Sequence, residues 1–184
     1  MITRTQQEQA QAQAKELFHT ARIPLTADEQ ISIEVADFGL SNLEVEGAQI
    51  LTLVQTARLA VKLLALMPHQ TVPEHWHPPV GEDPGKEETI RHLFGDIYCY
   101  VEGPNTLRHG SVPQGKEQNY SVRHEIVLRS GEQLTCRPGE KHWFQAGSHG
   151  AVVFSFSTVA RDNLDCFTDP DVRRQTLVAE ESAP

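Results

Sequence analysis

Two hydrophobic patterns divide this chain. Residues 4–21 are rich in Gln, Ala, Glu and Lys and contain no Pro or Gly, a composition that favours helix. Leu17 and Phe18 stand near the end of that stretch, where they can dock it. Arg22-Ile23-Pro24 stops it, because a residue before proline is pushed out of the helical region. Thr26-Ala27-Asp28-Glu29 reads as a second start, with Thr26 as N-cap and Glu29 at the third position, and predicts a short helix to about Val35. From residue 47 the pattern changes. Runs of β-branched and apolar residues predict strands over 49–55, 59–67, 71–77, 89–102, 123–128, 132–136, 142–146 and 151–158. Turn residues separate them, among them Pro78-Pro79-Val80-Gly81, Ser130-Gly131, Pro138-Gly139 and Gly147-Ser148-His149-Gly150. Many short strands at close spacing predict an all-β sandwich or barrel. After Phe167 the chain is polar and acidic. Asp169-Pro170-Asp171-Val172 predicts a short final helix, and residues 180–184 a frayed end.

Composition narrows the function classes. A chain of 184 residues is expected to form one domain with a sizeable core. The division expected is a helical segment over 1–36, a β-domain over 37–168 and a tail over 169–184. A net charge of −9, with no basic cluster, argues against a nucleic-acid partner. The longest apolar run, residues 63–67, is far too short to span a bilayer, and the N-terminus lacks the apolar core of a signal peptide. A cytoplasmic protein is expected. Cys99, Cys136 and Cys166 are an odd set with no CxxC pair, which predicts reduced, structural thiols.

Candidate chemistry concentrates at Pro73-Glu74-His75-Trp76-His77. Residues two apart share a face of an extended strand, so His75 and His77 can reach one point while Trp76 faces away. Lys86-Glu87-Glu88 follows a Pro/Gly-rich turn and can return a carboxylate to that point. Pro138-Gly139-Glu140-Lys141-His142 offers a third imidazole. Three imidazoles and a carboxylate suit a divalent transition metal with positions left open for a ligand. A chance His-x-His is easy in a chain with nine histidines, but the following carboxylate and the Pro-Gly-x-x-His element make coincidence a poor reading.

The combination of His75, His77, Glu88 and Gly95 with Gly131, Pro138-Gly139 and His142 resembles the two motifs of the cupin superfamily. That resemblance implies a double-stranded β-helix, or jelly roll. It also favours Glu88 over Glu87, since Glu88 keeps the family's gap to the following glycine. The flanks are more specific. The stretch Lys62-Leu63-Leu64-Ala65-Leu66-Met67-Pro68, the Tyr98-Cys99-Tyr100-Val101-Glu102-Gly103 and His124-Glu125-Ile126-Val127-Leu128 blocks, and His142-Trp143-Phe144-Gln145-Ala146-Gly147 look like the D-lyxose isomerase family. So does Phe167-Thr168-Asp169-Pro170. The resemblance implies a Mn²⁺-dependent isomerase that interconverts D-lyxose and D-xylulose, and D-mannose and D-fructose, through an enediol. It implies His75, His77, Glu88 and His142 as metal ligands and a homodimer as the assembly. Lys62, which interrupts an apolar strand, is a candidate for handling a sugar oxygen with a lowered pKa. Lys86 shares the face of Glu88 if that segment is extended. His124, Glu125 and Trp143 are candidates for lining the sugar pocket, with packing as the other reading for Trp143.

One position departs from the family's pattern. Where the resemblance implies a carboxylate base ahead of the Phe156-Ser157-Thr158 stretch, this chain has Ser155. Asp162, Asp165 and Glu125 are the replacements considered, Asp162 foremost. No phosphate-binding loop is present, since Gly81-Glu82-Asp83-Pro84-Gly85 is acidic, so a free sugar is the expected substrate. The same ligand set also admits an iron-dependent oxygenase, and Ser155 admits a sugar-binding protein with reduced chemistry.

Overall fold

The computed structural model describes residues 1–179. Strand β1 (Ile2–Thr3) leads into helix α1 (Arg4–Thr20), where Thr3 and Gln6 cap one another's backbone N–H. Ala10, Ala14 and Phe18 recur every four residues and form the buried stripe of α1. Ala14 and Phe18 pack on the outer face of the sheet against Leu51, Leu63, Ala65 and Val152. Thr26 and Glu29 form a second capping box that opens α2 (Ala27–Ile31). This helix ends four residues before the predicted Val35. Residues 34–36 instead pair with the sheet as β2 (Glu34–Ala36), so tertiary pairing overrides the local signal.

The remaining strands are β3 (Ala48–Gln55), β4 (Leu59–Leu66), β5 (Thr71–Trp76), β6 (Glu88–Val101), β7 (His124–Leu128), β8 (Gln133–Cys136), β9 (His142–Thr158) and β10 (Cys166–Phe167). With β2 they form one curled sheet in the order β10-β5-β9-β4-β3-β2, and β6 lies along the other side of β9 and carries β7 and β8. The fold is the expected all-β jelly roll with a short helical N-terminal segment. Alternation decides what enters the roll. Ile50, Leu64, Val72, Ile90, Ile97, Phe144 and Val153 pack together inside, while Leu51, Leu63 and Val152 meet α1 outside.

Two predictions fail, for physical reasons. Residues 147–150 do not reverse the chain; β9 runs unbroken from His142 to Thr158. Its glycines serve a bend. Gly95 and Gly150 both have positive φ, and a Cβ on Gly95 would lie 2.0 Å from the Gly150 carbonyl oxygen. Only glycine on β6 permits that approach, and the register of the β6–β9 pair slips there. The final helix at 169–172 is also absent. Asp169 instead closes a turn, its Oδ1 accepting from Asp171 N at 2.9 Å. The segment beyond is anchored: Val172 joins the core, Arg173 N donates to Phe38 O, and β11 (Val178–Ala179) pairs with β1. The end predicted to fray, 180–184, lies outside the described residues. No helix among the described residues is long and apolar enough to cross a membrane.

Candidate metal centre

Two strand starts, one strand end and one bulge assemble the site. The register of β5 against β9 shifts between Val72 and His75, which turns His75 into the roll and leaves Glu74 to bond Ser121, Val122 and Thr168. His142, the first residue of β9, pairs directly opposite His75. His77 follows the end of β5, and Glu88 opens β6 beside Ser155 of β9. The ligand atoms of His75, His77, Glu88 and His142 all lie within 4.8 Å of one another, and all four residues are buried. Glu87 is exposed, with its backbone paired to Thr158.

The hydrogen bonds leave one face of the cluster free for a cation. His75 Nδ1 and His142 Nδ1 each lie 2.8 Å from the carbonyl oxygen two residues earlier, of Pro73 and Glu140. His77 Nδ1 lies 2.7 Å from Asp165 Oδ1. With Nδ1 engaged, each Nε2 is available as a donor to a metal. Among the described residues His142 Nε2 is buried without a hydrogen-bond partner; Glu88 Oε2 lies 3.7 Å away. An orphaned buried nitrogen facing a carboxylate and two more imidazoles fits a metal-ligand set. Burial, then the neighbouring His142 and His77, hold His75 well below the usual imidazole range and keep it neutral. Burial would raise Glu88, but Lys86 and the neighbouring His142 and His77 imidazoles outweigh it and hold the carboxyl well below its usual range. Neutral imidazole and ionised carboxylate are the forms that bind metal.

A second group of charges borders the cluster. A small cavity of ≈ 50 Å³ is lined on one side by Phe38, Ile50, Leu64, Val72, Phe144 and Phe167. The polar lining includes Lys62, Lys86, Glu88, Ser155, Asp162, Asp165 and Arg174. Lys62 enters from β4 and forms an ion pair with Asp162. Lys86 is buried, with Nζ 3.4 Å from Asp162 Oδ1, 3.7 Å from Glu88 Oε1 and 3.9 Å from Asp165 Oδ2. Burial lowers the Lys86 pKa, but these carboxylates outweigh it and the net shift is upward. Burial likewise raises Asp162, and Lys86, Lys62 and Arg174 reverse it to a net lowering. Ser155 faces the cavity and donates its hydroxyl to Glu88 Oε1. Arg174, from the segment expected to be a tail, was not anticipated; no local motif marks it.

His124, Glu125 and Trp143 do not line this cavity. Trp143 alternates with His142 and Phe144 and therefore points out of the roll, where it stacks on Tyr100 at 3.7 Å and donates Nε1–H to Val122 O. His124 packs on Gly103 and lies 3.2 Å from Thr106 Oγ1. Glu125 holds the loop before β7, accepting from Tyr100 Oη and from the Arg108 and His109 backbone N–H groups. Cys99 and Cys136 carry no thiolate signature either: burial pushes Cys99 up to about 12 and raises Cys136 as well.

The Glu125 network predicts a pH-dependent stability. Burial would raise this carboxyl, but the Arg108 and His109 donors and Tyr100 outweigh it and bring it down to about 2. A carboxylate with a depressed folded-state pKa stabilises the fold above its unfolded value of about 4.3 and loses that contribution as pH falls toward the folded value. Glu125→Gln is therefore expected to cost on the order of 2 kcal/mol at pH 7, about 4–8 °C in Tm for a chain of this size. The gap between the two proteins should close as pH falls from about 4.5 to 2, which thermal melts across that range will show.

Comparison with known proteins adds a family to this geometry. Residues 8–184 match the D-lyxose isomerase family. A D-lyxose ketol-isomerase of Cohnella laeviribosi is 51% identical, over 95% of this chain and 96% of that protein. A D-lyxose/D-mannose isomerase of Thermosediminibacter oceani is 47% identical, over 95% of this chain and 97% of its own length. Among solved structures, an L-ribose isomerase of Cellulomonas parahominis superposes with a TM-score of 0.81 at 18% identity, over 97% of this chain and 98% of that one.

Proposed function

The chain belongs to the D-lyxose isomerase family, and from that premise we propose that it interconverts D-lyxose and D-xylulose, and also D-mannose and D-fructose, by a metal-dependent proton transfer. The observation that carries this reading is the buried cluster of His75, His77, Glu88 and His142 at the wall of a cavity holding Lys62, Lys86 and Asp162. Those four residues are the ligands we assign to a divalent ion, and Mn²⁺ is the ion we propose. Bound there, such an ion supplies Lewis-acid polarisation of a sugar carbonyl and hydroxyl.

The chain's own groups supply the rest. Asp162 is held ionised by the cations around it and is the base we assign to the proton moving between C2 and C1. Lys62 and Lys86 flank Asp162 and are placed to stabilise negative charge on the sugar oxygens as the enediol forms. The apolar wall offers its side chains to the C–H face of the sugar and excludes water. At ≈ 50 Å³ the cavity has room for a few waters. Ser155 is hydrogen-bonded to Glu88 and leaves base catalysis to Asp162. A homodimer is the assembly we propose; Leu53, Val54, Leu59 and Phe156 leave an exposed apolar set on the outside of the roll that a second copy would cover. The free thiols of Cys99, Cys136 and Cys166 suit a cytoplasmic setting.

A sugar panel tests the assignment. The Mn²⁺-loaded protein is expected to convert D-lyxose to D-xylulose fastest and D-mannose to D-fructose more slowly. L-ribose, the substrate named for the structural neighbour's class, serves as the contrast. Product identified by chromatography decides the order, and a protein that leaves every one of these aldoses unchanged is not an isomerase of this class.

A further inference from the structure

We propose that Asp165 is a positioning residue that orients His77 and strengthens it as a metal donor, which leaves Asp162 as the one carboxylate of this pair available to a substrate. The proposal rests on the metal-centre reading above.

The three imidazoles are not held alike. His75 and His142 are fixed by carbonyl oxygens two residues back, a contact each makes within its own local segment. His77 Nδ1 instead meets a carboxylate 88 residues away in sequence, at 2.7 Å. The two-residue strand β10 delivers it. Cys166 pairs with Trp76 and Phe167 with His75, and continuing that antiparallel register sets Asp165 opposite His77. Phe167 then packs near the His75 ring at 5.7 Å, so the same short segment supports both histidines.

The difference has a chemical consequence. A proton on Nδ1 donated to a carboxylate fixes the tautomer with its lone pair on Nε2, which lies 3.1 Å from Glu88 Oε2 on the cluster's inner side. A carboxylate also makes that Nε2 a stronger donor than a neutral carbonyl does. Asp165 is thereby committed through Oδ1, and Lys86 Nζ lies 3.9 Å from its Oδ2. Among the described residues, the ion pairs of Asp162 run to Lys62, Lys86 and Arg174, none of them a cluster ligand.

The test is Mn²⁺ titration of the chelator-stripped full chain beside D165N, D165A and D162N. Asn keeps an acceptor for Nδ1–H and removes the charge; Ala removes both. Mn²⁺ affinity is expected to fall about tenfold in D165N and up to about 100-fold in D165A, and to stay within about threefold in D162N. A second readout separates orientation from general loosening. In the Zn²⁺-loaded protein, NMR should show a hydrogen-bonded His77 Nδ1 proton that D165A loses, while the His75 and His142 resonances stay in place. D165N decides the matter if D165A does not fold. D165N and D165A binding Mn²⁺ like the parent, or D162N losing affinity equally, would overturn the proposal. A parent chain that takes up no Mn²⁺ overturns the metal-centre reading itself, and this inference with it.

Discussion

Glu88→Gln is expected to abolish stoichiometric Mn²⁺ binding and to lower aldose turnover by at least about 1000-fold, roughly 4 kcal/mol or more of transition-state stabilisation. Glu88 is the one anion among the four proposed ligands. It is also the hub of the site's hydrogen bonds, accepting from Ser155 and lying 3.1 Å from His77 Nε2 and 3.7 Å from Lys86 Nζ. Gln is close to isosteric and still accepts from Ser155, so the fold should survive. The charge that offsets a divalent ion does not survive. Three neutral imidazoles then face a dication in a buried site also bordered by Lys62 and Lys86, and the cost of desolvating the ion is left without compensation. Metal analysis after gel filtration, run beside the activity assay, separates loss of the ion from loss of the protein.

Asp162→Asn is expected to give the opposite combination: metal retained, chemistry lost. General-base catalysis contributes about 10²–10⁴-fold, so kcat should fall by about 3–5 kcal/mol while Mn²⁺ stoichiometry holds. The reasoning is geometric. Asp162 sits in a 3-10 turn (Asp162–Leu164) just before β10, lines the cavity and touches Lys62 and Lys86, but is not one of the clustered ligands. Asn keeps the shape and removes the proton acceptor. Lys62 and Lys86 lose a counter-charge in the variant, and that change should appear in KM. A kcat equal to that of the parent would move the base elsewhere, with Ser155 too weak an acid–base group to hold it.

How much of this was legible beforehand depended on distance along the chain. The capping box at Thr26 and Glu29, the helix at 4–20 and most strands follow from local signals, and the structure keeps them close to where the sequence puts them, while the Thr3–Gln6 box appears only in the structure. His75, His77, Glu88 and His142 were legible because each sits in a short motif, and the roll brings those motifs to one point. Trp143 carried two readings, pocket lining and packing, and the structure shows the packing one, because alternation along β9 sends it to the face opposite His142. The glycines at 147 and 150 looked like a reversal. Their role is close approach, Gly147 to Asp96 of β6 and Gly150 to Leu66 of β4, which only the neighbouring strands reveal. Asp165 and Arg174 reach the site through pairings made by a two-residue strand and by the segment after it. No periodicity can announce contacts that short, so the sequence could name Asp165 only as one carboxylate among several.

The central claim is that a metal ion held by His75, His77, Glu88 and His142 is what makes this chain an isomerase. The most direct measurement follows D-xylulose formed from D-lyxose by chelator-stripped protein while Mn²⁺ is added back in known amounts. Turnover should be absent at the start, rise in proportion to bound ion and level off at one equivalent per chain. Stripped protein that turns D-lyxose over at the full rate, or activity indifferent to bound metal, would contradict the account.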